Sequence, residues 1–206
     1  MKRISQFISR KLGTRNTPVT FEERHAKLGC IVLRVLPKVM QTILKECMSP
    51  TCLQVKYRLH DIRIALKENE TSLMEKLPNM DDFTIELCYK ILRYENLMLE
   101  PSCKWGNAPN HKDIDIADDI QRLLIATNEI IVKKSEDVSE IYYEEFQTNL
   151  HAILYRVDTF LRQDTCLNVY NTICRSEIQF SDILQELALL QQVDFTLTMN
   201  TTRVAS

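Results

Sequence analysis

Polar side chains that could support chemistry occur together in one short stretch, ATNEIIVKKSED, which spans residues 126–137. Asn128 and Glu129 stand inside the apolar spacing of a helix, and Lys133 and Lys134 stand where that helix should end. An amide, a carboxylate and two ammonium groups can bind a polar ligand. Three interpretations are open: a working site, the remnant of one, or an ordinary piece of helix surface.

A second group of chemically capable residues is an acidic run at the start of the same helix. It consists of Asp113, Asp115, Asp118 and Asp119, and carboxylates are ligands that hard cations prefer. The helix dipole favours negative charge at a helix N-terminus, so solvated acids collect there without any metal. We therefore interpret the run as solvated charge and predict no metal site.

The seven cysteines and four histidines show no spacing typical of a metal or nucleophile site. No C-x-x-C pair occurs, and an odd number of cysteines fits a disulfide framework poorly. Cys30 and Cys88 lie in apolar runs, which indicates small core residues. The motifs G-x-S-x-G and H-E-x-x-H do not occur, and three isolated glycines cannot form a phosphate-binding loop. The sequence thus predicts no catalytic residue, no metal and no cofactor.

Length and composition set the fold class. The chain has 206 residues, of which 45% are hydrophobic and 26% are charged, and only 3 are glycine. This composition suits long helices and disfavours a sheet with many tight turns, so we predict an all-α protein with one core. The net charge of −2 gives no global attraction for nucleic acid or an anionic membrane. No apolar stretch is long enough to predict a transmembrane segment.

Residues 1–19 form a basic leader in our interpretation. It carries five basic residues and no acid: Lys2, Arg3, Arg10, Lys11 and Arg15. Four apolar residues would share one face of a helix: Ile4, Phe7, Ile8 and Leu12. This pattern is typical of a mitochondrial transit segment or a surface-binding amphipathic helix, and the alternative is a frayed, flexible leader. We expect a cytoplasmic protein, with a mitochondrial location as the alternative if the leader is a transit segment.

Apolar residues at three- and four-residue intervals predict the first three helices. Thr20 and Glu23 form a capping box that opens the first helix, which Pro37 should kink or interrupt. A second helix is predicted over residues 51–67 and a third over residues 82–99. The polar segment 69–82 is expected to be a loop with at most a short turn. Trp105 should hold the next long loop against the core.

Three further helices are predicted beyond this loop. The fourth spans the apolar residues from Ile116 to Ile131, the fifth begins at a cap at Asp137, and the sixth opens at residues 176–179 and ends near Val193. A disordered or loosely attached tail follows. The predicted organisation is a leader over 1–19, a helical domain over 20–162, and an extra helix with a polar tail over 163–206. The architecture expected is a bundle of five or six helices.

Two segments resemble the HEPN-like domain of the DAZ-interacting zinc-finger E3 ubiquitin ligase family of animals. The first is FEERHAKLGCIVLRVLPKVMQ, residues 21–41, and the second is FTIELCYKILRYENLMLEPSCKWGNAPNHKDIDIADDIQRLL, residues 83–124. The resemblance extends over about residues 20–161. It implies a HEPN fold, which is an up-down helical bundle that commonly dimerises.

The resemblance also implies an origin for the polar residues of the stretch 126–137. Active members of the wider superfamily cleave RNA with an Arg, a polar residue and, four to six residues after the Arg, a His. The matching positions in this chain are Thr127, Asn128, Glu129, Lys133 and Lys134. Thr lacks the guanidinium fork of Arg, and Lys cannot replace His as a proton shuttle unless burial lowers its pKa by several units. The resemblance therefore implies a degenerate member, and an ordinary helix end remains the alternative.

Helical geometry gives two expectations for these positions. Thr127 and Lys134 should share a face close to the apolar stripe, two turns apart. Asn128 should lie at the edge of that stripe as a polar contact across a helix interface, while Glu129 points away.

Two functions follow as hypotheses. The first is a non-catalytic interaction domain that binds a protein partner or itself, with a link to ubiquitin or defence signalling by analogy with the family. Its expected dimer interface contains Tyr142, Tyr143 and Tyr155. The alternative is a domain that binds, or weakly cleaves, RNA.

In the RNA-binding alternative, Arg122, Lys133 and Lys134 would contact phosphates. The acidic residues that follow these lysines, Glu136 and Asp137 among them, would repel a polyanion. This charge pattern favours the protein-interaction hypothesis.

Overall fold

The computed structural model describes residues 19–177 and 179–204, and within this part every regular element is helical and no strand occurs. The helices are α1 (Phe21–Cys30), α2 (Leu36–Cys47), α3 (Pro50–Arg58), α4 (Glu68–Met74), α5 (Ile85–Tyr94), α6 (Ile116–Val132), α7 (Glu140–Leu161), α8 (Thr165–Arg175) and α9 (Phe180–Val204). The predicted all-α class is confirmed. Most of the predicted leader, residues 1–18, lies outside the described residues.

A π-helical turn, Ile31–Val35, joins α1 and α2 into one continuous rod. The predicted capping box is present, because the Thr20 hydroxyl accepts a hydrogen bond from the Glu23 N–H at 3.2 Å and the Glu23 carboxylate accepts one from the Thr20 N–H. Pro37 lies in the first turn of α2. Its missing N–H is accommodated by the widened turn before it, so the predicted interruption is a π turn rather than a break.

The boundaries predicted for the next elements are wrong in three places. α3 ends at Arg58 because the chain turns at His60, which has a φ of 54°. α4 occupies part of the predicted loop, and α5 ends at Tyr94, just before Asn96 with a φ of 53°. These ends depend on left-handed residues that hydrophobic spacing does not reveal.

The buried Glu70 fixes the start of α4 through one contact with the residue just before the helix and one with another helix. The buried Glu70 carboxylate accepts hydrogen bonds from the Lys67 N–H at 2.8 Å and from Lys90 Nζ on α5. Burial raises the pKa of Glu70, but these two contacts outweigh burial and leave its pKa below the usual value. A tertiary ion pair therefore stabilises a helix whose local sequence is polar.

The C-terminal third of the chain also departs from prediction. α7 is capped by Ser139, whose hydroxyl accepts the Tyr142 N–H at 3.1 Å, whereas Asp137 belongs to a 3₁₀ turn (Ser135–Asp137). α8 was not predicted; Asp158 of α7 caps it by accepting the N–H groups of Cys166 and Leu167 at 2.8 and 2.9 Å. α9 continues to Val204, where a loose tail was expected, and no Gly or Pro interrupts it.

The core lies where α1, α2, α5, α6 and α7 meet. Side chains from all five helices are almost completely buried there, and examples are Leu28, Ile43, Leu87, Ile120 and Leu154. α9 lies on the outer side of α1. Trp105 packs edge-on against Tyr89 with ring centroids 5.4 Å apart, which is the role predicted for it. Among the described residues, no helix is long and apolar enough to cross a membrane.

Candidate functional site

The acidic run at the start of α6 was predicted to be solvated, and this prediction is wrong for two of its four residues. Asp118 and Asp119 are both fully buried. Asp118 accepts hydrogen bonds from the Ser102 N–H at 2.8 Å and the Ser102 hydroxyl at 3.0 Å, which ties the preceding loop to α6. Burial of a carboxylate is expensive unless hydrogen bonds replace its water. Asp118 and Asp119 therefore stabilise the fold rather than carry solvated surface charge.

Asp119 joins the two helices that form the candidate site. Its carboxylate accepts two hydrogen bonds from Arg156 of α7, both at 2.7 Å, and one from Arg122 Nη1 at 3.0 Å. The hydrogen bond to Asp119 raises the pKa of Arg156. Such a bidentate pair fixes direction as well as distance. α6 and α7 are therefore held together at this end by charge.

Arg122, one of the three predicted phosphate contacts, has its guanidinium occupied. Besides Asp119, it donates to the main-chain carbonyls of Asn110 and Asp113. Arg122 thus clamps the loop over residues 107–114 onto α6. The N–H groups of Arg122 are used in contacts within the protein, so a phosphate would have to compete with these contacts for them.

The degenerate motif does not form one cluster. Thr127 is buried and its hydroxyl donates to the Leu123 carbonyl at 2.9 Å, within α6. Asn128 lies on the exposed side of α6, not between helices of the described chain. Lys134 is exposed and lies beyond the last residue of α6, Val132, so the expectation that it shares a face with Thr127 is wrong.

Glu129, Lys133 and Tyr142 do come together, at the opposite end of the α6–α7 pair from Asp119. The Tyr142 hydroxyl donates to Glu129 at 2.8 Å, Lys133 Nζ lies 3.3 Å from the same carboxylate, and the ammonium sits 4.2 Å from the centre of the Tyr142 ring. Burial and the hydrogen bond to Glu129 raise the pKa of Tyr142. Lys133, the second predicted phosphate contact, is thus already paired with a carboxylate and a ring.

A buried polar pair on α1 was missed by the sequence interpretation. Arg24 donates to the Val138 carbonyl at 2.8 Å and to the Val19 carbonyl. His25 Nδ1 lies 2.9 Å from the Ser135 hydroxyl, and its Nε2 lies 3.4 Å from the Ile130 carbonyl. Burial lowers the pKa of His25, and nearby Lys133 lowers it further, although the contact with the Ile130 carbonyl opposes them. The sequence signal was adjacent Arg and His inside an otherwise core-facing helix.

The three tyrosines of the expected dimer interface point in different directions. Tyr142 belongs to the cluster with Glu129, whereas the Tyr143 hydroxyl accepts a hydrogen bond from Gln147 at 2.8 Å on the side of α7 near α1. Burial raises the pKa of Tyr143 to about 12. Tyr155 is 65% exposed. A single flat interface therefore cannot contain all three rings in the present geometry.

An open groove of about 530 Å³ runs between α6, α7 and the loop over residues 107–114. We call it the α6–α7 groove. Its floor is apolar and includes Leu123, Ala126, Phe146, Leu150 and Ile153. Glu129, Tyr142 and Glu145 line one end, and Arg122, Arg156 and His111 line the other.

Of the predicted site residues, Arg122, Glu129 and Tyr142 line the α6–α7 groove, while Lys133, Tyr143 and Tyr155 are not among its lining residues. Within the part of the chain that the structure describes, no group of three or more metal-ligating side chains is gathered. Comparison of the chain with protein-family models, with curated proteins and with solved structures finds no match.

Proposed function

We propose that this protein is a non-catalytic, HEPN-like interaction domain that associates with a second copy of itself through the α6–α7 groove. The observation that carries the proposal is the polarity of the groove, which has an apolar floor, carboxylates at one end and two arginines with a histidine at the other. A partner for such a surface must supply apolar side chains between two opposite charges.

A second copy meets this requirement by symmetry. In a two-fold interface the same patch occurs on both subunits, and opposite ends of the patch face each other. The Glu129 and Glu145 end of one groove would then face the Arg122 and Arg156 end of its partner, which stays net positive because the two guanidinium groups share the single carboxylate of Asp119. Charge complementarity of this kind fixes register and excludes wrong partners more than it adds affinity.

The RNA-binding alternative has weaker support. Arg122 is committed to Asp119 and two carbonyls, and Lys133 is committed to Glu129 and Tyr142. Lys134 is exposed. A polyanion would also meet Glu129 and Glu145 at the groove.

Sedimentation equilibrium over a range of protein concentrations tests the proposal. Ala152 is exposed and lines the groove, so Ala152→Arg fills it without disturbing the core. We expect this variant to weaken self-association about tenfold or more, which corresponds to about 1.4 kcal/mol. Ala65→Arg is the matched control, because Ala65 is exposed and is not among the groove-lining residues. Equal dissociation constants for the two variants would contradict the proposal.

Anisotropy of labelled single-stranded RNA at low and moderate salt tests the alternative. A salt-sensitive rise that disappears in a Lys133→Glu, Lys134→Glu double variant would favour RNA binding. We expect no rise, because most of these cations already have protein partners.

A further inference from the structure

The helix α3 has a second apolar face, which points away from the core. Leu53 on its inner side is completely buried, whereas Val55 is 50% exposed and Leu59, at the C-cap, is 72% exposed. Cys52 is exposed as well. Positions 52, 55 and 59 have the spacing i, i+3 and i+7, so their side chains form one stripe along α3. We call this stripe the outer face of α3, and the described chain leaves it uncovered.

Three cations border the outer face of α3. Lys56 and Arg58 alternate with its residues along the helix. Arg63 is held beside α3, because the buried carboxylate of Glu95 accepts hydrogen bonds from Lys56 Nζ at 2.6 Å and from the Arg63 N–H at 2.7 Å. Arg58 and Arg63 are exposed, and their guanidinium groups form no ion pair within the described residues. Residues 50–63 contain Asp61 as their only acid, so this surface is net positive.

An aliphatic stripe bordered by cations has the chemistry that binds an anionic bilayer. Its side chains can enter the boundary between headgroups and acyl chains, while the cations stay at the level of the lipid phosphates. The whole chain carries a net charge of −2 and does not attract an anionic surface, so the attraction must come from a local patch of this kind.

Two other classes of partner fit the outer face of α3 less well. A nucleic acid would neutralise the cations but leave the stripe in water, because bases stack on aromatic rings and the stripe has none. A helical protein segment binds in an apolar groove, whereas Leu59 projects from the end of a single helix. A lipid surface satisfies both the cations and the aliphatic side chains.

We propose that the outer face of α3 binds the surface of a bilayer that contains anionic phospholipids. Val55 and Leu59 enter the headgroup region, and Arg58 and Arg63 donate hydrogen bonds to lipid phosphates. Lys56, which is paired with Glu95, completes the positive border. A contact of this size gives weak and reversible binding. None of these residues lines the α6–α7 groove, so lipid binding and the proposed self-association use different surfaces.

Sedimentation of the full chain with sucrose-loaded vesicles tests this proposal. One set of vesicles consists of phosphatidylcholine with about one third phosphatidylserine, and the other consists of phosphatidylcholine alone. We expect the wild type to bind the anionic vesicles about tenfold or more strongly than the neutral ones at low salt, and to lose this preference as the salt concentration rises. Absence of binding to the anionic vesicles, or equal binding to both sets, would overturn the proposal.

Variants of the outer face of α3 assign the binding to this surface. Leu59→Asp and Arg58→Glu should each weaken binding to the anionic vesicles by about tenfold. Leu189→Asp and Arg175→Glu are the matched controls, because Leu189 of α9 is 56% exposed and Arg175 of α8 is exposed. The controls should bind as the wild type does. Circular dichroism and thermal melting establish that each variant is folded.

The controls lie far from α3. Cys174, next to Arg175, lines a cavity with Ile31, and α9 packs along α1. From Ile31 to Cys47, where α2 ends and the chain turns into α3, the rod of α1 and α2 runs for about 24 Å. Wild-type binding in both α3 variants would place lipid binding elsewhere in the chain, residues 1–18 included, and would overturn the proposal. Loss of RNA binding in Arg58→Glu, without any loss of vesicle binding, would instead make this face a nucleic-acid surface.

Cysteine labelling of the wild type tests the same surface without any substitution. Cys52 lies on the outer face of α3, and Cys174 is exposed at the opposite end of the rod. We expect saturating anionic vesicles to slow the reaction of Cys52 with a water-soluble maleimide about threefold or more, and to leave that of Cys174 unchanged. Peptide mass spectrometry measures both rates. Protection of neither cysteine, or equal protection of both, would contradict binding through α3.

Discussion

Buried carboxylates hold this protein together at several points where its elements meet. Asp118 binds the loop before α6, Asp119 binds α6 to α7, and Asp158 caps α8. Glu70 joins α4 to α5. The role of each carboxylate could not be predicted from the sequence, because an acid that binds a distant N–H or cation looks the same in the sequence as a solvated acid. Its role depends on partners that tertiary structure brings to it.

Asp119→Asn should destabilise the fold. The substitution keeps the shape of the side chain but leaves Arg122 and Arg156 without their shared negative charge. Because Asp119 is fully buried, we expect the free energy of unfolding in urea to fall by about 3 kcal/mol. Asp82→Asn is the control, since Asp82 forms an exposed pair with Lys76 and its loss should cost less than about 1 kcal/mol. Equal losses in the two variants would contradict the assignment.

His25 should make stability depend on pH in the range where histidine titrates. Its pKa is lowered in the folded protein, so the unfolded chain binds a proton first as the pH falls. The free energy of unfolding should therefore decrease below about pH 6.5, with a slope of at most about 1.4 kcal/mol per pH unit, and level off below the folded pKa. Urea unfolding at pH 7.5, 6.5, 5.5 and 5.0 measures this decrease.

His25→Asn serves as the comparison for this pH dependence, because it removes the titrating ring and retains a polar side chain. Its free energy of unfolding should be flatter over the same pH range, whatever its absolute value. A wild-type slope in His25→Asn would assign the proton uptake to other residues.

The contact of α9 with α1 depends on a residue without a side chain. A Cβ at Gly29 would lie 2.7 Å from Ile183 Cγ2 and from Leu187 Cδ1. Gly29→Ala should therefore push α9 away from α1 and cost about 1–3 kcal/mol, as overpacking does. Chemical denaturation checks the size of this loss.

A double variant tests whether the loss arises from this contact. Leu187→Ala alone should cost about 2–5 kcal/mol through the cavity it leaves. Gly29→Ala with Leu187→Ala should cost less than the two single losses combined, because the new methyl group occupies part of the space that Leu187 vacated. Additive losses would mean that Gly29 is required for another reason.

Hydrophobic spacing predicted the helices that bury a wide apolar stripe, and missed those fixed by polar contacts. α6 was predicted because its buried residues recur at helical intervals from Ile120 to Ile131. α8 was not predicted although Cys166, Tyr170 and Ile173 recur at helical intervals, because the carboxylate that caps its start, Asp158, belongs to a neighbouring helix. α3 was predicted too long, because His60 ends it in a left-handed conformation. Apolar periodicity predicts which residues are buried, but it does not predict a helix cap that comes from a residue of another helix.

The candidate site emerges only from the arrangement of the whole molecule. Glu129 and Tyr142 are brought together because α6 and α7 are antiparallel, and Arg122, itself bound to Asp119, holds the loop over residues 107–114 at the other end of the same groove. Sequence analysis identified Arg122, Glu129 and Tyr142 as candidate site residues, but it did not predict that they line the same groove. The loop position could not be predicted, because it rests on hydrogen bonds from one guanidinium to two main-chain carbonyls.

Acidification should weaken the molecule as a whole through its buried glutamates. Burial raises the pKa values of Glu70 and Glu95, but hydrogen bonds from the main-chain N–H groups of Lys67 and Arg63 and ion pairs with Lys90 and Lys56 outweigh burial, so both pKa values are lowered. Their contribution is complete above the unfolded value of about 4.3 and is lost as the pH falls through the lower folded values. This loss is distinct from that of His25, which occurs at higher pH.

Glu70→Gln and Glu68→Gln form a matched pair in the first turn of α4, because Glu70 is buried and Glu68 is exposed. At pH 7, Glu70→Gln should lower the free energy of unfolding by about 2 kcal/mol, the size expected for hydrogen bonds to a charged group. Between pH 5 and pH 3 its unfolding free energy should fall less steeply than that of the wild type, while Glu68→Gln should follow the wild type. Urea titrations at each pH measure both effects. If Glu70→Gln and the wild type lost stability in parallel, acid sensitivity would have to come from carboxylates other than the one that joins α4 to α5.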